Sequence, residues 1–288
     1  MQNTTADVFV DTSILISKTT RESAMREAIS LQLSKFRRRV SGSVPLQEFK
    51  RRVLHELVYL LAKLDQTQSY QKTLDHVTSV VPQQQGRKVR ICLPLLHQLL
   101  PGASDAELTE RARRYFRLLL INGEKQFLND LDSLLPGVKC YLSRAPIVEK
   151  RRYKKYVLSG TYCSKTNGKC EIGQELNRAL GTCKMLYTFL IGLPAARMTQ
   201  ELISARDFLD RLVNGKALTG IHGEDPCLKF GDLLIAIESA SAGNFYTMNY
   251  RESQAYCDYL NQNLTVRPND PAKPDTVHAA ASRPWPMP

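Results

Sequence analysis

The chain has 288 residues, 43% of them hydrophobic, and a formal net charge of +12 at pH 7. Its length and apolar content allow a substantial buried core, its longest apolar run is too short to span a membrane, and its charge favours an anionic partner such as nucleic acid. The seven cysteines form no CxxC pair and the start shows no secretory leader, so we expect a reduced, cytoplasmic protein with free thiols.

The beginning of the chain predicts a strand followed by two helices. Residues 7–10 are apolar and run straight into a turn, which is typical of a short buried strand. Apolar residues recur at helical spacing over 23–38, and a brief extended piece follows at 39–43. A second helix starts near Pro45, a residue favoured in the first turn, and continues to Leu64.

The middle of the chain predicts mainly helices. Residues 69–80 form a helix in this interpretation, and 88–93 form a strand. Ser104 begins a further helix, with Glu107 three residues later completing a capping box. The remaining expected elements are a strand at 138–142 and helices at 122–135, 174–193 and 199–213.

The last part of the chain returns to alternating elements. We expect helices at 230–241 and 252–261 and strands at 244–247 and 264–267. This alternation indicates an α/β protein, a three-layer α/β/α fold with a mostly parallel central sheet and a helical basic insertion. The Pro-rich tail, 269–288, contains the single tryptophan and is predicted to be disordered.

Four polar residues stand where an apolar segment meets a turn: Asp11, Glu48, Asp232 and Asn249. Side chains at strand ends and helix starts of one open sheet can converge in a single crevice. Converging carboxylates without a basic partner repel one another and need a divalent cation to coexist, so the group is a candidate metal site. Taken singly, each residue also fits an ordinary helix-capping or turn position.

The surroundings of these residues resemble the ordered motifs of the PIN nuclease domain. The similar segments are VFVDTSILI, the Glu early in the second long helix, GDLLIAIESA, FYTMN and the closing strand LTVRP. The resemblance covers about 5–65 and 198–268. It implies a PIN-like nuclease core made of 1–65 and 198–268, a mainly helical insertion at 66–197 and the tail at 269–288.

The resemblance also implies a chemistry, a metal-dependent endoribonuclease. Residues matching Asp11, Glu48, Asp232 and Asn249 would hold one or two Mg²⁺ or Mn²⁺ ions, which activate a water for attack on the phosphodiester. The matching supporting residues are Thr12, Ser13 and Thr247. The family has Asp or Asn at the fourth position; Asn249 removes one negative charge and should weaken a second metal, which Glu252 could compensate.

A basic segment within 144–173 is the candidate RNA-binding element. Its cations alternate with tyrosines, a composition that suits backbone phosphates and base stacking, although a solvated basic helix would look the same. The residues are Lys150, Arg151, Arg152, Tyr153, Lys154, Lys155 and Tyr156.

Three hypotheses follow. The first is a PIN-like endoribonuclease acting on single-stranded or structured RNA and restrained by a regulatory protein partner or a homo-oligomer. The second keeps the fold with a degenerate site, as an RNA-binding or scaffold protein. The third is a basic α-helical interaction module in which the strands are misassigned.

Overall fold

The computed structural model describes residues 6–80, 87–99, 103–135, 147–150, 155–158, 176–215 and 231–280, and its centre is a six-stranded, mostly parallel sheet. The eight described strands, numbered in chain order, are β1 Asp7–Val10, β2 Arg38–Ser41, β3 Ser133–Leu134, β4 Ile147–Lys150, β5 Lys155–Leu158, β6 Asn244–Thr247, β7 Asn263–Val266 and β8 Thr276–His278. The sheet has the order β3-β2-β1-β6-β7-β8, in which the β7–β8 pair is antiparallel and every other pair is parallel. Strands β4 and β5 form a separate antiparallel hairpin.

Eleven α-helices are described: α1 Thr12–Thr20, α2 Ser23–Leu33, α3 Ser43–Phe49, α4 His55–Thr67, α5 Tyr70–Val80, α6 Arg87–His97, α7 Asp105–Asn129, α8 Leu180–Gly192, α9 Gln200–Val213, α10 Gly231–Ser239 and α11 Tyr250–Leu260. A π-helical turn, Lys50–Leu54, joins α3 to α4. Such turns shift the helical register of the residues on either side.

Apolar side chains pack on both faces of the sheet. In β1, Val8 and Val10 belong to a cluster with α1 to α7, whereas Phe9 belongs to a cluster with α8 to α11. Phe9 stacks on Phe245 of the neighbouring strand β6, with ring centroids 5.5 Å apart. Because successive side chains of a strand point to opposite faces, two cores form on one sheet, an arrangement compatible with three layers.

The strands expected at 7–10 and 244–247 are confirmed, and the six-stranded sheet excludes the purely α-helical hypothesis. The strand expected at 88–93 is wrong, because this segment lies within helix α6. Basic and apolar residues alternate over 88–91, a pattern typical of a strand. The buried residues that follow recur at helical spacing; they are Ile91, Cys92, Leu95 and Leu96.

The separate helix expected at 122–135 is also wrong, because α7 continues unbroken from Asp105 to Asn129 and the short strand β3 follows. Gly123 lies within this helix. In the structure it marks a close approach: a Cβ at Gly123 would lie 2.9 Å from Leu54 Cδ2. The strand expected at 138–142 lies outside the described residues.

The tail expected to be disordered is ordered in its first part. Thr276–His278 add strand β8 to the sheet edge, and Asp275 forms a 2.9 Å ion pair with Arg267, the residue after β7. Residues beyond 280 lie outside the described part of the chain.

The described ends of the basic segment lie in strands and not in a helix. Lys150 ends β4, and Lys155 and Tyr156 begin β5, so the described ends of this segment belong to the hairpin. Strand β5 contacts α4, which is continuous with the helix carrying Glu48.

In the described ranges, none of the helices is both long enough and apolar enough to cross a membrane.

Candidate functional site

The sheet has a topological switch point at β1. The chain runs from β1 to β2 on one side, and it returns later to place β6 on the other side. The carboxyl ends of parallel strands lie at one edge, and the crevice at such a switch point is where open α/β sheets bind ligands. Asp11 follows β1 directly and Thr247 ends β6, so both residues lie at this edge.

Asp11 is fixed by three donors on one of its oxygens. Its Oδ2 accepts hydrogen bonds from Ser13 N at 3.3 Å, Ser13 Oγ at 2.5 Å and Thr247 Oγ1 at 2.7 Å. Its backbone N donates to Tyr246 O at 3.0 Å. Asp11 is therefore the N-cap of α1, in agreement with the helix-capping position that its sequence context also allowed. Its Oδ1 accepts no hydrogen bond from any residue that the structure describes, so this oxygen remains available to a ligand.

The supporting hydroxyls differ in their roles. Ser13 and Thr247 both donate to Asp11, and Met248 N donates to Ser13 Oγ at 3.0 Å. Asn249 N donates to Thr247 Oγ1 at 2.9 Å, which leaves the exposed Asn249 side chain at the start of α11. The Thr12 hydroxyl is buried without a hydrogen bond to the described residues and does not position Asp11.

Asp232 and Asp11 line the same narrow cavity between α10, α11 and β6. The cavity has a volume of about 10 Å³, close to the room one water molecule needs. Burial is the main cause that raises the pKa of Tyr256, and the negative charge of Asp232 adds to it. The pKa of the neighbouring Cys257 thiol is raised by burial first, then by Asp258 and Asp11. The charges of Asp11 and Asp232 thus act on the same turn of α11.

Glu48 lies beside the residue that precedes Asp232. A Cβ added to Gly231 would be 2.8 Å from Glu48 Oε1, so the absence of a side chain at Gly231 makes room for this carboxylate. Arg52 Nη2 lies 3.4 Å from Glu48 Oε1 and partly compensates its charge. Glu48 itself is 7% exposed.

Two residues in and near this site were not anticipated from the sequence, Arg52 beside Glu48 and Glu238 at the far end of α10. The sequence could have indicated Arg52, since it stands four residues after Glu48 on the expected helix, a spacing that favours an ion pair. Glu238 is 7% exposed and accepts hydrogen bonds from Ser43 and Val44 at the start of α3. A single acid inside the apolar stretch LLIAIESA was its signal.

The structure describes only some of the other predicted site residues. Glu252 lies in α11, two residues after its start, and its side chain is outside the described part. Lys150, Lys155 and Tyr156 lie in the hairpin, and Arg151, Arg152, Tyr153 and Lys154 fall outside the described residues.

The donor set fits a hard divalent cation in chemistry, because Asp11, Glu48 and Asp232 offer carboxylate oxygens. Their positions do not yet form a metal site, because the described side chains include no group of three or more His, Cys, Asp or Glu arranged to hold a metal ion.

The candidate site thus consists of Asp11 and Asp232 on one cavity, with Glu48 and its partner Arg52 beside Gly231. Comparisons of the chain with protein-family models, with curated proteins and with solved structures gave no match.

Proposed function

We propose that the protein is a PIN-like, metal-dependent endoribonuclease with its site at the switch point of the sheet. The observation that carries the proposal is the position of Asp11 and Asp232 on one cavity at the carboxyl edge, with the Glu48 carboxylate against Gly231. Two acids from distant segments share this cavity and a third lies beside the residue that precedes Asp232, and strand-end crevices of this kind are where α/β folds bind ligands.

In this proposal Asp11, Glu48 and Asp232 hold Mg²⁺ or Mn²⁺. When bound, such an ion polarises the scissile phosphate and lowers the pKa of a water. The chain contributes orientation: Ser13 and Thr247 donate hydrogen bonds to Asp11 Oδ2, and Oδ1 would be the oxygen that binds the ion. Arg52, four residues after Glu48, adds a positive charge that suits a phosphate oxygen of the substrate.

RNA is the proposed substrate because the chain carries a net charge of +12 and a basic hairpin. The hairpin reaches α4, the continuation of the helix that carries Glu48. Phosphate contacts should dominate the affinity, so RNA binding is expected to fall steeply as salt increases.

The decisive test is RNA cleavage with Mn²⁺ by the wild type and by Asp232→Asn. Asp232 is preferable to Asp11 for this purpose, because it is exposed and Asp11 also caps α1. We expect at least a hundredfold loss of cleavage, since one removed ligand weakens both metal binding and activation of the water.

Asp207→Asn is the matched control, because Asp207 is an exposed carboxylate on α9 and should leave cleavage unchanged. Equal activity of the wild type and Asp232→Asn would remove the catalytic proposal.

A second candidate is a degenerate site on an RNA-binding or scaffold protein. The ion pair of Glu48 with Arg52 favours it, since this cation already offsets one carboxylate, and Asn249 supplies no charge. Calorimetric titration separates the two: the nuclease takes up Mn²⁺ and loses uptake in Asp232→Asn, whereas the scaffold takes up none and still binds RNA.

A further inference from the structure

We infer that Glu238 is a positioning residue that sets the distance between Glu48 and Asp232 by capping helix α3 from helix α10. This inference rests on the proposed function and extends it to a residue that does not itself contact metal or RNA. Glu238 lies at the end of α10 opposite Asp232, six residues and about 9 Å of helical rise away.

Helix α3 begins without a cap of its own. Its N-cap residue is Gly42, which has no side chain to accept from the free N–H groups of the first turn. Glu238 takes this role from a distant part of the chain: Ser43 Oγ donates to its Oε1 at 2.6 Å, and Val44 N donates to its Oε2 at 3.2 Å. Hydrogen bonds to a carboxylate are about twice as strong as neutral ones.

The glycine at the cap is a consequence of this contact. A Cβ at Gly42 would overlap the Glu238 carboxylate, so any side chain there would push Glu238 away. Gly42 has extended backbone, with φ −114° and ψ 177°, which any residue can adopt. The space occupied by Glu238, and not backbone conformation, therefore requires glycine at this position.

The two contacts between α3 and α10 lie at opposite ends of these helices. At one end Glu238 caps α3, and at the other Gly231 of α10 receives the Glu48 carboxylate. Helices are rigid over this length, so the cap fixes how α3 presents Glu48 to Asp232. Removing the cap would leave both acids in the protein but would no longer fix their relative positions. The affinity for a cation that needs both carboxylates should therefore fall.

The experiment compares Glu238→Gln and Gly42→Ala with the wild type by two measurements. Hydrogen exchange of the Val44 amide reports the cap without any metal, and calorimetry with Mn²⁺ reports the site. In both variants we expect exchange at Val44 to accelerate about tenfold and Mn²⁺ affinity to fall about tenfold. Unchanged exchange of amides in β1 and β6 shows that the fold persists.

Glu201→Gln is the matched control, because Glu201 is an exposed acid in the first turn of α9. It should change neither measurement. Wild-type Mn²⁺ affinity in Glu238→Gln, together with lost affinity in Asp232→Asn, would overturn the inference and leave the proposed function intact. Weaker Mn²⁺ binding with unchanged Val44 exchange would also overturn it. No Mn²⁺ uptake by the wild type would overturn both.

Discussion

Asp11 and Asn249 show how differently two neighbouring polar residues can be held. Asp11 is 6% exposed and receives three hydrogen bonds on Oδ2, so its orientation is set by the fold. Asn249 is exposed, its backbone N is bound to Thr247, and its side chain makes no cap hydrogen bond to α11. The position therefore tolerates substitution, and its charge can be changed without disturbing the core.

For this reason Asn249→Asp should strengthen Mn²⁺ binding, by about tenfold, through a fourth carboxylate at the site. The new charge also lies at a helix start, which should stabilise the fold by about 0.3–1 kcal/mol. Calorimetric titration measures the first effect and urea unfolding the second. Thr199→Asp, at the N-cap of α9, is the control: a similar gain in Mn²⁺ affinity there would contradict the assignment of the site.

At the scale of elements, an ion pair reinforces the backbone hydrogen bonds that hold the edge strand β3 to β2. Strand β3 has two residues and is tied to β2 by Arg39, whose backbone N and Nε both donate to Asp132 Oδ2, at 2.7 and 3.0 Å. Arg39 Nη2 donates to Asp132 Oδ1 at 2.9 Å. These hydrogen bonds lower the pKa of Asp132 to about 2.

A depressed carboxyl pKa predicts a defined pH dependence. The contribution of Asp132 to folding is present above its unfolded pKa of about 3.9 and is lost as the pH falls towards 2. Because the pair is about one-third exposed, the amount should stay below about 1 kcal/mol. Urea unfolding between pH 5 and pH 2 should show Asp132→Asn and wild type converging at pH 2. Arg39→Gln should give the same pattern, and parallel curves for wild type and variants would contradict it.

At the scale of the whole molecule, a buried ion pair ties the C-terminal segment to the sheet. The Arg267 and Asp275 side chains are 4% and 6% exposed, and Arg267 Nη2 also donates to Pro271 O at 2.8 Å. The backbone N of Arg267 donates to Thr247 O at 2.9 Å. Burial raises the pKa of Tyr246, and the charge of Asp275 adds to this rise. The segment after β7 is thus anchored beside the candidate site.

Removing one partner of this pair should therefore cost far more than removing both. Asp275→Asn leaves the Arg267 charge buried and should lower the free energy of unfolding by about 3–5 kcal/mol. The double variant Arg267→Met, Asp275→Leu should lose much less, because no charge remains without a partner. Urea unfolding of the three proteins measures this difference. A double variant as unstable as Asp275→Asn would show that the pair itself stabilises the fold.

Several features followed from the sequence alone because their causes are local. The strand before Asp11 is a run of apolar residues, and the capping box of Ser104 and Glu107 spans three residues. Alternating strands and helices were enough to predict an α/β protein with a mostly parallel sheet. That the polar residues at the strand ends form a functional site stays a prediction.

The tertiary structure decided what depends on distant contacts. The cap of α3 joins Ser43 to Glu238, 195 residues away in sequence, and the glycines at 42 and 231 are needed because carboxylates occupy the space beside them. The C-terminal segment is ordered where β8 pairs with β7, and the buried ion pair of Arg267 and Asp275 closes the connection between these strands. Sequence periodicity shows which face of an element is buried, but it does not show which segment packs there, since that choice is made by the packing of the whole chain.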